Sequence, residues 1–181
     1  MLNIANIPSE EGIEAFTEYI SDPVYRNQSM PWQFLITLLR FTLTFNSFIF
    51  NGQHYLQNFG TAIGSKCSPG YANIFMGRLE KLILEGWKGR PPDIWRRYID
   101  DIISIWSGTE DELLKFLEFM NTFHSSIKFT AKFRTKSHIV KTKWRNNKLE
   151  VIKKPLGNLR PRSSDFLDST IWIDQKGKFQ T

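Results

Sequence analysis

Two adjacent aspartates, Asp100 and Asp101, lie between residues 95–99 and residues 102–106, both of them rich in β-branched and aromatic side chains. Such flanks predict strand, two-residue turn, strand, with both carboxylates at the tip of a hairpin. Crowding two anions is costly unless a cation neutralises them, and hard oxygen donors on a turn suit Mg²⁺. A turn that uses Asp only for its backbone chemistry fits the same residues. A second stretch of interest comes earlier, from Gln57 through Gly60, Gly64 and Ser65 to Pro69. Two glycines four apart permit close backbone approach to a ligand, and the free N–H groups of a following helix favour phosphate. A plain flexible connector reads the same way.

The elements that must position these residues follow from periodicity and capping. Ser9 with Glu10 and Glu11 predicts a capped helix carrying Ile13, Phe16 and Ile20 on one face and stopping at Asp22-Pro23. A second helix is expected from about Ser29–Pro31 to Thr44, with Trp32, Leu35, Ile36 and Leu39 on one side. Asn51-Gly52 between residues 48–50 and 53–56 is a strong type I′ hairpin signal. The helix after the glycine loop should be capped by Ser68, carry Pro69 in its first turn, bury Ile74, Phe75, Leu79, Leu82 and Ile83, and end at Gly86. Thr109-Glu110-Asp111-Glu112 reads as a capping box for a helix lined by Leu113, Phe116, Leu117, Met120 and Phe123. Residues 126–132 alternate as a half-exposed strand does, residues 166–173 read as another strand, and Asp174–Gly177 should turn into a last one. The order gives an α+β fold, with helices on one face of a mainly antiparallel sheet.

At 181 residues, with 41% hydrophobic content, the chain can bury one sizeable core. Cys67 is the sole cysteine, which excludes an intrachain disulfide and a cysteine-based zinc site and fits a reducing, intracellular compartment. Residues 1–11 lack the pattern of a secretory signal, and the most apolar window, residues 34–50, contains Arg40 and Asn46 and divides into helix and strand. A soluble chain with no membrane partner and no disulfide-linked partner is therefore expected. The net charge of +6 is regional: residues 132–163 hold eleven Lys or Arg and one acid, Glu150, whereas the rest carries 13 basic against 17 acidic residues. Such an excess marks either a nucleic-acid contact surface or a solvated, poorly folded insert.

The order and wording of the motifs resemble one family. A Gln-x-x-Gly-x-x-x-Gly-Ser loop opening a helix, followed by a Tyr-x-Asp-Asp hairpin, resembles a reverse transcriptase palm. Asn6-Ile7-Pro8, residues 59–65 with Pro69, Ala72-Asn73-Ile74-Phe75-Met76 with Glu80, Arg97-Tyr98-Ile99-Asp100-Asp101, Ser126-Ile127-Lys128-Phe129-Thr130 and Phe166-Leu167-Asp168 are similar to the reverse transcriptases of Penelope-like retroelements. The resemblance implies a right-hand polymerase palm, RNA-directed DNA synthesis on an RNA template and DNA primer with dNTP as substrate, and two Mg²⁺ ions. It makes Asp100 the primary metal ligand and Asp101 its partner, both catalytic. Gln57, Gly60, Gly64 and Ser65 would line the template and nucleotide pocket. Tyr98 would pack under the primer end or the nucleotide, or else simply fill the core. Lys128 would be either a charge partner for the triphosphate or an exposed strand lysine. The nucleus is a compartment consistent with such an enzyme.

Departures from the family set further expectations. The resemblance places another metal-binding aspartate on a strand upstream of Asn6-Ile7-Pro8, which extrapolates to a position before Met1; Asp22 and Asp93 lie in loops and are poor substitutes. The expected organisation is a partial fingers and palm over residues 1–131, a poorly ordered basic insert over 132–163 and a truncated end of the palm over 164–181, with no thumb or GIY-YIG endonuclease. The palm-like sheet is thus expected to be truncated at both ends, Mg²⁺ binding weak, and the chain inactive alone. The alternative expectation is a non-catalytic, nucleic-acid-binding remnant of a retroelement.

Overall fold

The computed structural model describes residues 6–25, 30–62, 64–135 and 137–155 in full, and residues 163–166, 169–173 and 179–180 through their strand pairing. The chain forms two compact units, residues 3–86 and residues 87–181. The fold is α+β, and among the described residues every strand pairing is antiparallel, distributed over four small sheets.

In the first unit, α1 (Ser9–Ile20) packs against α2 (Trp32–Thr44) and α3 (Ser68–Gly86). Ser9 is the first helical residue rather than the cap: Pro8 is extended, makes no side-chain cap, and its carbonyl accepts from Gly12 N. The α1–α3 contact is close because Gly12 lies under Tyr71, where an added Cβ would meet the Tyr71 hydroxyl oxygen at 1.8 Å. That hydroxyl donates to the carbonyls of Ser9 and Pro8 at 3.2 and 3.4 Å, and burial pushes its pKa well above the usual tyrosine value. Arg78 of α3 reaches Glu18 of α1 at 2.7 Å, and Arg40 of α2 pairs with Glu10. The apolar stripe of α3 is Tyr71, Ala72, Phe75, Met76, Leu79 and Ile83, so the buried face is rotated toward the helix start and Leu82 is left exposed. Only Leu39 and Leu43 of α2 are fully buried, whereas Trp32, Phe34, Leu38 and Phe41 are exposed.

β1 (Ser47–Phe50) and β2 (Gln53–Leu56) form the expected hairpin. Its two turn residues, Asn51 (φ 50°) and Gly52 (φ 75°), both take the left-handed conformation that a type I′ turn requires. Phe48 stacks on Tyr55 across the pair at 5.5 Å.

The second unit opens with β3 (Ile94–Tyr98) and β4 (Asp101–Ile105), followed by α4 (Glu110–Thr122). The capping box is present: Thr109 Oγ1 accepts from Glu112 N at 3.2 Å, and the Glu112 carboxylate accepts from Thr109 N at 2.7 Å. Phe116 of α4, 1% exposed, is surrounded by the rings of Trp87 (5.3 Å), Trp106 (5.6 Å) and Trp95 (6.1 Å, edge-on). This cage fastens one face of the β3–β4 hairpin to the helix.

Residues 126–131 keep the expected alternation, with Ile127 and Phe129 buried, but do not form a strand. Phe129 is held by a side chain instead: Asn121, 1% exposed, donates from Nδ2 to Phe129 O (2.9 Å) and accepts at Oδ1 from Phe129 N (2.6 Å). The basic stretch that composition marked as poorly ordered is folded over much of its length. β5 (Lys132–Arg134), β6 (His138–Arg145) and β7 (Lys148–Pro155) form a three-stranded sheet. Its β6–β7 turn, Asn146-Asn147, has φ of 49° and 57°, a conformation that Asn tolerates. Val140 and Thr142 are buried, and Thr142 Oγ1 accepts from Ala131 N at 2.8 Å. The expected strand over 166–173 is divided into β8 (Ser163–Phe166) and β9 (Ser169–Ile173), which pair with each other. β10 (Phe179–Gln180) pairs with β9, while the expected turn at Asp174–Gly177 lies outside the described residues.

Candidate metal-binding hairpin and glycine loop

The β3–β4 register runs from Ile94↔Ile105 to Tyr98↔Asp101, which makes Ile99-Asp100 the two-residue turn and Asp101 the first residue of β4. The hairpin is thus as expected, with its turn one residue earlier. Ile99 takes φ +50° and Asp100 does not, so the positive angle falls at the first turn position, where hairpins ordinarily use glycine. A β-branched residue there is an outlier, and such strain, on the order of 1–3 kcal/mol, concentrates at functional sites. The Arg97 guanidinium donates to Ile99 O at 3.1 Å and so braces the turn.

Tyr98 and Asp101 face each other across the pair and therefore share a side of the hairpin, whereas Trp95 lies on the other, against Phe116. Tyr98 is 58% exposed, which removes the core-filling reading. Asp100 and Asp101 are half-buried, and among the described residues neither carboxylate takes a hydrogen bond or an ion pair. Their oxygens are the hard donors that Mg²⁺ prefers, so the donor chemistry fits. Among the described residues no group of three or more His, Cys, Asp or Glu lies together, and these two carboxylates are the donors the hairpin offers. Asp93 is held at the opposite end of the hairpin, where its N–H donates to Ile105 O at 2.9 Å and its carboxylate accepts from Ser107. The Ser107 hydroxyl holds its pKa below the usual value. Asp22 caps the short turn after α1 by accepting from Val24 N.

The glycine loop belongs to the first unit. Gln57 N donates to Asn46 O at 2.8 Å, anchoring the loop at the end of β2, and its side-chain amide donates to Phe59 O. Gly60 (φ +77°) is buried and Gly64 (φ +101°) is exposed with open space beside it; both adopt backbone angles that disfavour any side chain. Ser65 Oγ lies 3.2 Å from Cys67 Sγ, and Ser65 O accepts from Ser68 N at the start of α3. Ser68 is not the free cap that was expected. It lies inside the helix and its hydroxyl donates back to Ala62 O at 2.7 Å, closing the loop onto the helix start.

Lys128 is neither exposed nor on a strand. Its Nζ donates to the carbonyls of Asn121 and His124 at 2.7 and 2.6 Å and stands 5.4 Å from the Trp144 ring centroid, and burial lowers its pKa. Its charge neutralises the carbonyls at the end of α4, a structural role that its place in the sequence did not reveal.

No helix among the described residues is long and apolar enough to cross a membrane. A search of curated proteins and a search of solved structures each found no match. The family model for reverse transcriptase (RNA-dependent DNA polymerase) matches residues 5–165, a span that includes the glycine loop, the Asp100-Asp101 hairpin and the whole basic stretch. With that span covering most of its 181 residues, the chain belongs to the reverse transcriptase family.

Proposed function

We propose that this chain carries the metal-holding hairpin and the nucleotide-side loop of an RNA-directed DNA polymerase of the Penelope-like kind. One observation carries the reading: in a chain of this family, two carboxylates without partners among the described residues sit at a braced, strained turn beside an exposed tyrosine. Asp100 and Asp101 would hold Mg²⁺, with Asp100 the primary ligand. When bound, the metal lowers the barrier to attack by a primer 3′-hydroxyl and offsets charge on the triphosphate. The chain's own residues orient these parts. Arg97 fixes the turn, Tyr98 offers a ring face to the primer end or incoming base, and the Phe116 cage prevents the hairpin from rocking. The open backbone at Gly64 admits close approach of a nucleotide or template strand, with Gln57, Gly60 and Ser65 shaping the loop around it. Residues 6–131 would then contain fingers and palm elements. Two carboxylates give weak metal affinity, so a further anionic ligand would be needed for a full two-metal site.

The test pairs a metal-binding readout with an activity readout. Mn²⁺ binding followed by electron paramagnetic resonance should weaken in Asp100→Asn and weaken further in Asp100→Asn/Asp101→Asn. Unchanged Mn²⁺ binding in the double variant refutes the ligand assignment. Primer extension on an RNA template should be abolished by Asp100→Asn. A wild-type chain that binds RNA–DNA duplex but no Mn²⁺ would instead favour the non-catalytic, nucleic-acid-binding reading.

A further inference from the structure

The register of the β5–β6–β7 sheet sorts its side chains into two unlike faces. Val140, Thr142 and Trp144 of β6 share one face with Leu149, Val151 and Lys153 of β7; on this face Val140 is fully buried and Thr142 buried, while Val151 stays exposed and Lys153 reaches Glu110 of α4 at 2.7 Å. The other face carries Lys141, Lys143 and Arg145 of β6, with Lys148 and Lys154 of β7, all exposed. Lys132 of β5 stands directly opposite Lys141, and Arg145 directly opposite Lys148. The one acid on this face is Glu150, which faces Lys143 and lies 3.9 Å from Arg145.

Like charges opposite one another destabilise a sheet. Lysines are often placed on edge strands to prevent further pairing, but β6 is the central strand and has no edge to protect. Its three outward cations therefore call for an anion. They repeat every second residue, about 6.7 Å per step along an extended strand, a spacing on the scale of successive phosphates in a nucleic-acid chain. The face has no exposed aromatic side chain, and Ile152, 37% exposed, is its most exposed apolar one. It thus lacks the apolar wedge with which a protein surface enters a lipid interface.

We propose that the outer face of the β5–β6–β7 sheet is a second nucleic-acid contact surface, which grips the phosphate backbone without reading sequence. It is separate from the Asp100-Asp101 hairpin and stands whether or not those aspartates hold Mg²⁺. Contacts of this kind position a duplex and carry a strong salt dependence.

The full-length chain is titrated into a fluorescein-labelled DNA duplex, with anisotropy read between about 50 and 200 mM salt. The test variant is Lys141→Gln/Lys143→Gln/Arg145→Gln. The control is Lys81→Gln/Lys88→Gln/Lys115→Gln, which removes the same charge from exposed positions outside the sheet. The test variant should lose about 2.7 from the log–log salt slope, at roughly 0.9 per phosphate contact, so that its deficit in affinity against the wild type is about fortyfold larger at about 50 mM than at about 200 mM salt. The control should keep wild-type affinity and slope. Equal weakening by test and control variants would mean bulk charge alone and overturns the proposal, as does an unaffected test variant. Tighter binding of the wild type to phosphatidylserine vesicles than to duplex also overturns it. Unchanged urea midpoints in the two triple variants confirm that folded proteins are being compared.

Discussion

Asn121→Ala removes a side chain that does the work of a missing strand. Asn121 is 1% exposed and holds both the N–H and the C=O of Phe129, itself 4% exposed, at 2.6 and 2.9 Å. Deleting it leaves two buried backbone groups without partners, each costing about 1–3 kcal/mol, so about 2–6 kcal/mol together. That is a large share of the roughly 5–15 kcal/mol by which a domain is stable. The loss should appear as a lower urea midpoint with unchanged slope, followed by tryptophan fluorescence, since Trp87, Trp95 and Trp106 surround Phe116 on the same helix. Amide exchange at Phe129 should accelerate to match. Asn121→Asp keeps the acceptor and loses the donor; acidification restores a donor by protonating the carboxyl, so this variant should recover stability relative to wild type as pH falls. A loss under about 0.5 kcal/mol for Asn121→Ala, the scale of a surface change, would refute the reasoning.

Gly12→Ala should destabilise the first unit by about 1–3 kcal/mol, because its Cβ would fall 1.8 Å from the hydroxyl oxygen of Tyr71, which is 2% exposed. Thermal denaturation checks this, and Gly12→Ala/Tyr71→Ala should lose less than the sum of the single losses. The Glu112 carboxylate, held below its ordinary pKa of 4.5 mainly by the Thr109 backbone N–H and then by the Thr109 hydroxyl, gives a pH-dependent contribution. Its folded value lies below its unfolded one, so the contribution is complete above the ordinary value and is lost as pH falls through the folded value. Glu112→Gln should flatten the stability profile in that window, as read by urea midpoints at a series of pH values.

Local chemistry was the part of this fold legible in the sequence. Asn51-Gly52 specifies its own turn, and Thr109 with Glu112 caps its own helix, because each signal and its effect lie within four residues. The Asp100-Asp101 hairpin was legible as a hairpin but not in its turn. Asp is the better turn former, yet the pairing places Ile99 at the left-handed position, a case of tertiary context overriding preference. In the basic stretch, charge composition concealed a period-two pattern: Val140, Thr142 and Trp144 alternate with Lys141, Lys143 and Arg145, and Asn146-Asn147 supplies a turn. The bonds of Asn121 and Lys128 left no sequence signal. An Asn near a helix end looks like a cap, and its eight-residue reach to Phe129 depends on a chain path that only the fold defines.

The β1–β2 hairpin has a consequence for how this polypeptide behaves in a test tube or a cell. Between Arg40 and Lys66 there is no Lys, Arg, Asp or Glu, while Phe48, Ile49, Phe50, Tyr55 and Leu56 are all exposed on a two-stranded sheet that no further strand among the described residues extends. Uncharged, aromatic and unprotected edges are where chains join other chains. The hairpin is therefore a site for self-association. A Lys placed at Ile49, on the strand and away from the Phe48–Tyr55 stack, is the substitution of choice for keeping the protein in solution long enough to assay it.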